Sequence, residues 1–214
     1  MKISGGLSEK GVVIGNTYDK YHSGNPIVRK IMQGFESTLS RLVKEANPSS
    51  IHEVGCGEGY WVLRWLEEGL DVRGSDFSST VIELAECNAV ERKLPMGLFK
   101  TKSIYDLQTD DDSADLIVCC EVLEHLEHPS EALRILQKLA HKHAIFSVPR
   151  EPMWSVMNLA RGKYLSDFGN TPGHIQRWSQ RDFIKLVSSY FVVEQVCAPI
   201  PWIMLLCSPG QLSS

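Results

Sequence analysis

"HEVGCGEGY", residues 52–60, sets three glycines in five positions between an apolar step and a run of bulky apolar residues. A turn from strand to helix usually needs one glycine, so three together point to backbone that a ligand approaches closely. On one side "IHEV" reads as a short strand, and on the other "YWVLRWLEEG" reads as a helix stopped by Gly69. A glycine turn in that place presents the unpaired N–H groups and the positive dipole end of the following helix.

Working outward, strand and helix alternate. Ahead of the turn, "PIVRKIMQGFESTLSRLV" spaces Ile27, Ile31, Phe35, Leu39 and Leu42 as one face of a helix that "NPSS" ends. Behind it come the strand "LDVRGSD", the helix "SSTVIELAECNAV" with hydroxyls at its start, and the weaker strand "GLFKTKSI". "ADLIVCCEV" is apolar almost throughout, as a central strand covered on both faces would be. Pro129 opens the helix "PSEALRILQKLA", and "HAIFSV" follows as a strand. The pattern predicts an α/β fold, a doubly wound and mostly parallel sheet. "FVVEQVCAPIPWIMLLC" breaks the alternation with two strands too close in sequence to be parallel, so a C-terminal antiparallel strand pair is expected. The stretch 149–178 fits neither strand nor regular helix, and loops of that length are usually functional.

With 214 residues and 43% hydrophobic content, the chain has material for one core, and residues 1–214 are expected to form a single domain. A net charge of −4 offers no basic surface for a phosphate backbone, which argues against nucleic acid as a partner. No window approaches the ~20 apolar residues of a membrane span, and the opening residues lack a secretion pattern, so a cytoplasmic location is expected. Cys56, Cys87, Cys119, Cys120, Cys197 and Cys207 show no CxxC spacing and are expected to be reduced and mostly structural. Oligomeric state is not legible.

Dinucleotide sites favour GxGxxG, whereas the spacing from Gly55 is GxGxG, with Glu53 two residues ahead and Asp76 closing the next strand in "GSDFSS". This combination resembles the class I, Rossmann-like S-adenosylmethionine-dependent methyltransferases. "CCEVLEHLEHP" resembles the fourth-strand segment of their small-molecule branch, which includes the quinone-biosynthesis O-methyltransferases. The likeness runs roughly from Tyr18 to Cys207. It implies a seven-stranded sheet and S-adenosylmethionine as cofactor. By position it implies that Glu53 holds the cofactor's amino end, the backbone of Gly55, Cys56, Gly57 and Gly59 its methionine portion, and Asp76 its ribose, with Phe77 against the adenine. Ser103 and Ile104 would flank the adenine, where the family usually has an Asp in place of Ser103, while Cys120 and Glu121 would lie beside the sulfonium. Tyr18 and Tyr21 resemble the family's lid tyrosines, so residues 1–47 would form a lid and leading helix. The reaction implied is methyl transfer to a small-molecule acceptor, at an oxygen. The rivals are a cofactor-binding regulatory protein without turnover and an NAD-dependent oxidoreductase.

For an oxygen acceptor, a histidine is the side chain best matched to proton removal at neutral pH. His125 is expected to be that base, oriented by Glu121 or Glu124, with His174 a second catalytic and substrate-binding candidate. The excursion 149–178 mixes Met153, Trp154, Met157 and Tyr164 with Arg150, Arg161, His174 and Arg177, a composition suited to a substrate pocket. Arg150, Trp154, Tyr164, His174 and Arg177 are the substrate candidates, and the basic content suggests a phosphate-bearing or lipid-linked acceptor. "EHLEHP" is not expected to hold a metal, because the proline after His128 interrupts a helical ligand set. "QTDDDSAD" lacks the glycine and terminal glutamate of a calcium loop and reads as a solvated turn. "HKH" at 141–143 reads as a helix-to-strand connection away from the cofactor.

Overall fold

The computed structural model describes residues 1–9, 12–160, 171 and 173–210. A short hairpin of β1 (Ser8–Glu9) and β2 (Val12–Val13) precedes α1 (Pro26–Ala46). Asn25 caps α1 by accepting the N–H groups of Ile27 and Val28 at 2.9 and 3.4 Å, and Asn47 ends it in the left-handed region. The face carrying Met32, Phe35, Leu39 and Leu42 is buried, as the spacing predicts, whereas Ile27 is exposed at 69%.

The main sheet has seven strands: β3 (Ser50–Val54), β4 (Asp71–Asp76), β5 (Phe99–Thr101), β6 (Ala114–Cys120), β7 (Ala140–Pro149), β8 (Phe191–Cys197) and β9 (Trp202–Pro209). Their order is β5-β4-β3-β6-β7-β9-β8. β3 to β7 are parallel, and β9 runs antiparallel to both β7 and β8. The doubly wound sheet with a terminal antiparallel pair is therefore present. In β6, Leu116 and Val118 pack with α1, α2 (Tyr60–Glu67) and α3 (Ser79–Glu91) on one face. Ile117 and Cys119 pack on the other, with α5 (Pro129–Leu139) and α7 (Gln180–Val187). The two-residue period of a strand thus divides one apolar run between two cores.

Three local expectations are corrected. The excursion after β7 contains a regular helix, α6 (Met153–Ala160), which Glu151 helps to start by accepting Ser155 Oγ at 2.8 Å. "QTDDDSAD" forms a turn of helix, α4 (Thr109–Asp112), whose Asp112 is only 1% exposed. Its carboxylate accepts from Lys102 Nζ at 2.5 Å and Gln108 N–H at 2.7 Å, so charge pairing buries a residue expected in solvent. Residues 141–143 lie inside β7, with His143 3.6 Å from Glu194.

Candidate active site

The carboxyl ends of β3, β4 and β6 open onto one cavity of about 940 Å³, where an open parallel sheet binds its ligands. The glycine turn forms part of its wall. Gly55 and Cys56 donate their N–H groups to the Ser75 carbonyl at 2.7 and 3.0 Å, clipping the loop to the end of β4. All three glycines have positive φ, at 77°, 53° and 81°, but for different reasons. A Cβ on Gly55 would collide with Val122, and one on Gly59 would lie 2.6 Å from Phe99 Cζ and 3.2 Å from Ala85. A Cβ on Gly57 would meet nothing within 4 Å. Gly55, Cys56 and Gly57 line the cavity, whereas Gly59 does not and serves to cap α2 and admit Phe99.

Asp76 ties the second loop to the first. Its Oδ2 accepts the Gly57 N–H and its Oδ1 the Ser78 N–H, each at 3.1 Å. Burial nevertheless raises its pKa, against those N–H groups. Phe77, 39% exposed, lies beside it on the cavity wall. Glu53 is buried, with no hydrogen-bond partner for Oε2 among the described residues, and burial holds its carboxyl well above the usual range with Asp76 adding to the effect. Ser103 and Ile104 line the far side, the Ser103 hydroxyl accepting from Tyr105 N–H at 3.3 Å. Tyr21 stacks on Tyr60 at 3.6 Å between ring centroids and meets Trp61 edge-on.

Beyond β6 the backbone turns without forming a regular helix through Glu121 and His125. Glu121 sits at φ 59°, and only a single 3-10 turn, Leu123–His125, follows. Cys120 and Glu121 line the cavity, and the Glu121 carboxylate accepts from Ser147 Oγ at 3.0 Å and Trp202 Nε1 at 2.7 Å. Among the described residues no carboxylate is hydrogen-bonded to His125, the base that Glu121 or Glu124 was expected to orient. Its Nδ1 donates to the Gly173 carbonyl at 2.8 Å, which leaves Nε2 with the lone pair. The His174 ring meets it edge-on at 4.8 Å and stacks on Trp154 at 6.0 Å. Burial lowers both imidazoles, His174 to about 4, so both are neutral at pH 7.

One ligand atom each from Glu124, His125 and His174 lies within 4.8 Å of the others. Glu124 is 2% exposed, with no hydrogen-bond partner for either carboxylate oxygen among the described residues; burial, then the Glu121 charge, raises its pKa well above the usual range. Two imidazoles and a carboxylate at that separation form a donor set suited to a divalent ion. The proline after His128 does not prevent this, because the third ligand comes from a different segment.

The substrate candidates divide. Trp154 and His174 line the cavity, and Trp154 Nε1 donates to Thr171 Oγ1 at 2.9 Å. Arg150 and Arg177 are absent from the lining: Arg150 lies against Met153 Sδ at 3.1 Å, and Arg177 bonds Ser155 Oγ at 2.9 Å and pairs with Glu151 at 3.5 Å. Tyr164 and Arg161 lie outside the described residues. Sequence reasoning missed the α1 face of Val28, Ile31, Met32 and Phe35, which forms a cavity wall, and Trp202 of β9, whose ring meets Phe35 edge-on at 4.9 Å. Their helical and strand spacing was visible, but a core face and a pocket face have the same spacing.

Residues 52–148 match the model of the methyltransferase domain family. The ubiquinone biosynthesis O-methyltransferase of Alkalilimnicola ehrlichii is 24% identical over 144 residues, covering 61% of this chain and 58% of that protein. That of Pectobacterium carotovorum subsp. carotovorum is 28% identical over 97 residues, covering 44% and 41%. The chain thus spans about half the length of the curated relatives it matches. Among solved structures, magnesium protoporphyrin IX methyltransferase from Synechocystis PCC 6803 with bound SAH superposes with a TM-score of 0.67 at 21% identity, over 89% of this chain and 91% of that one. The PH0226 protein from Pyrococcus horikoshii OT3 gives 0.68 at 15% identity, over 90% and 96%. With the sheet order and the glycine turn in agreement, residues 52–148 are similar to the methyltransferase domain family, and the chain has the Rossmann-like fold of the solved magnesium protoporphyrin IX methyltransferase.

Proposed function

We propose that this chain transfers a methyl group from S-adenosylmethionine to an oxygen of a small-molecule acceptor. The observation that carries the proposal is the convergence of Glu53, Gly57 and Asp76 on one cavity. Bare backbone at Gly57, a carboxylate at Asp76 that can accept ribose hydroxyls and a Glu53 oxygen with no partner among the described residues, available to an amino group, together fit the cofactor. Ser103, Ile104 and Phe77 are assigned to the adenine, and Tyr21, Cys120 and Glu121 to the methionine and sulfonium end. A volume of about 940 Å³ is at the upper end for small-molecule sites, leaving room for an acceptor.

The cofactor supplies the electrophilic methyl group, so the chain's tasks are alignment, exclusion of water and removal of one proton. His125, neutral and with Nε2 available, is assigned that proton, and His174 on Trp154 the acceptor's position. The unpartnered Glu124 supports a second reading, in which Glu124, His125 and His174 hold a divalent ion that binds the acceptor oxygen. Apolar walls from α1, Trp154, Met157 and Trp202 favour an acceptor with an apolar body, in keeping with a lipid-linked molecule. The phosphate-bearing alternative loses its support from Arg150 and Arg177, which bond elsewhere.

We treat residues 1–214 as one domain, with 1–47 as lid and leading helix and 149–178 as the acceptor side. The six cysteines are free, which supports a reducing, cytoplasmic setting, and no helix among the described residues is long and apolar enough to cross a membrane.

A metabolite extract incubated with the deuterated-methyl cofactor, read by mass spectrometry, tests the activity. Labelled product is expected, and cofactor binding without product from any extract would favour a regulatory protein. NAD stabilising the fold while S-adenosylhomocysteine does not would favour an oxidoreductase. His125→Gln should lower turnover by ~10²–10⁴-fold. Loss of activity in EDTA, restored by a divalent ion, would select the metal reading over the base.

A further inference from the structure

The leading segment is fastened to the glycine turn by a single buried carboxylate. Glu58, 1% exposed, accepts the N–H groups of Ser4 and Asn16 on Oε1 at 3.0 and 2.7 Å, and Asn16 Nδ2 on Oε2 at 2.5 Å. Gly15 passes so close that a Cβ there would collide with Glu58 Oε1, and its φ of +56° is one that glycine adopts without penalty. Farther out, Lys2 N–H donates to Asn88 Oδ1 at 2.7 Å, Asn88 Nδ2 returns a bond to the Lys2 carbonyl at 3.0 Å, and Ser78 Oγ donates to Glu9 Oε2 at 2.6 Å. Between these attachments, Gly6, Ile14, Gly15, Asn16, Thr17 and Tyr18 line the cavity.

We infer that Glu58 is a positioning residue, a latch that holds residues 1–9 and 12–18 at the cavity and so sets how fast the cofactor leaves. The inference rests on the cavity being the S-adenosylmethionine site. A buried carboxylate is costly unless it is fully hydrogen-bonded, and among the described residues the three donors to this one all come from the leading segment. Those bonds are therefore made only when the segment is down. The adjacent Gly57 bonds Asp76 through its N–H, so the latch and the ribose carboxylate are joined by one residue of backbone. Opening the segment breaks three charge-assisted bonds together, and release of a ligand lying under it must wait for that opening.

The test is the dissociation rate of S-adenosylhomocysteine, by stopped flow, from the wild type, Glu58→Gln, Asn16→Ala and the double variant, with melting temperatures recorded for each. Each single change should raise the rate by about 10–100-fold in a folded protein. The double variant should be no faster than the faster single one, because both remove the same latch. Amide exchange at Ser4 and Asn16 should accelerate in the same variants. Rates within about twofold of wild type, or additive effects of the two changes, overturn the latch. Asn16→Ala lies on the segment itself, so it carries the test if Glu58→Gln does not fold. A wild type that binds no S-adenosylhomocysteine overturns the cofactor assignment as well, an outcome distinct from tight binding with a latch-independent rate.

Discussion

The sharpest prediction compares two glycines two residues apart. Gly57→Ala and Gly59→Ala each place an alanine at positive φ, which costs roughly 1–2 kcal/mol. For Gly57 the cost should end there, since its Cβ meets nothing within 4 Å. For Gly59 the Cβ would lie 2.6 and 2.8 Å from Phe99 ring atoms and 3.2 Å from Ala85, and Ala85 sits on α3 without room to retreat. Overpacking of that kind adds about 1–3 kcal/mol. At about 2–4 °C per kcal/mol for a chain of this size, Gly57→Ala should melt some 2–8 °C below the wild type, and Gly59→Ala roughly twice as far. Affinity should rank the other way. The Gly57 methyl would stand in cavity space assigned to the cofactor, so calorimetric titration with S-adenosylhomocysteine should show binding lost in a folded protein. Gly59→Ala, where it folds, should bind nearly as well as the wild type. A Gly57→Ala protein with normal affinity would refute the reasoning, because the bare backbone would then serve only the turn.

Asp76→Ala should weaken S-adenosylhomocysteine by about 10–150-fold, the effect of one charged hydrogen bond, with unfolding still cooperative; unchanged calorimetric affinity would remove Asp76 from the site. Stability should fall with acid through His52, whose Nδ1 donates to the Asp112 carbonyl at 2.7 Å and whose buried ring has its pKa lowered to about 4. The unfolded chain binds the extra proton first, near pH 6.5, so stability is lost from there down to about pH 4, by on the order of 3 kcal/mol. His52→Asn should flatten that slope in chemical denaturation, and an unchanged slope would assign it to other groups. Arg177→Ala should leave the acceptor KM within about twofold and lower the melting temperature by a few degrees at most, since the pair with Glu151 is half-exposed. A clear rise in KM would return Arg177 to the substrate site.

Strands and helices were legible where burial imposes a period, as in α1 or in β6, whose seven residues serve two cores. The cofactor side was legible for a related reason: glycines at the end of an apolar strand and an acid at the end of the next are local patterns. What escaped depends on partners that no local pattern announces. Asp112 looked solvated because nothing nearby reveals Lys102 beneath it, and the basic residues of the acceptor side looked like ligands until Glu151, Ser155 and Met153 were seen to engage Arg177 and Arg150. Glu58 drew no notice in "GCGEG", because its partners Ser4 and Asn16 stand 54 and 42 residues away.

The strand order also bears on how the chain reaches this fold. β7, ten residues long and apolar through most of its length, can pair with β6 early, but its outer edge stays open until β9 arrives from more than fifty residues downstream. β8 is made before β9, yet among the described residues its ladder in the sheet is with β9 alone, so it does not join β7 directly. An open apolar edge of that length invites pairing with a neighbouring chain. The interval before β9 docks is therefore when a nascent copy is most prone to aggregate, and refolding yield should fall steeply as protein concentration rises.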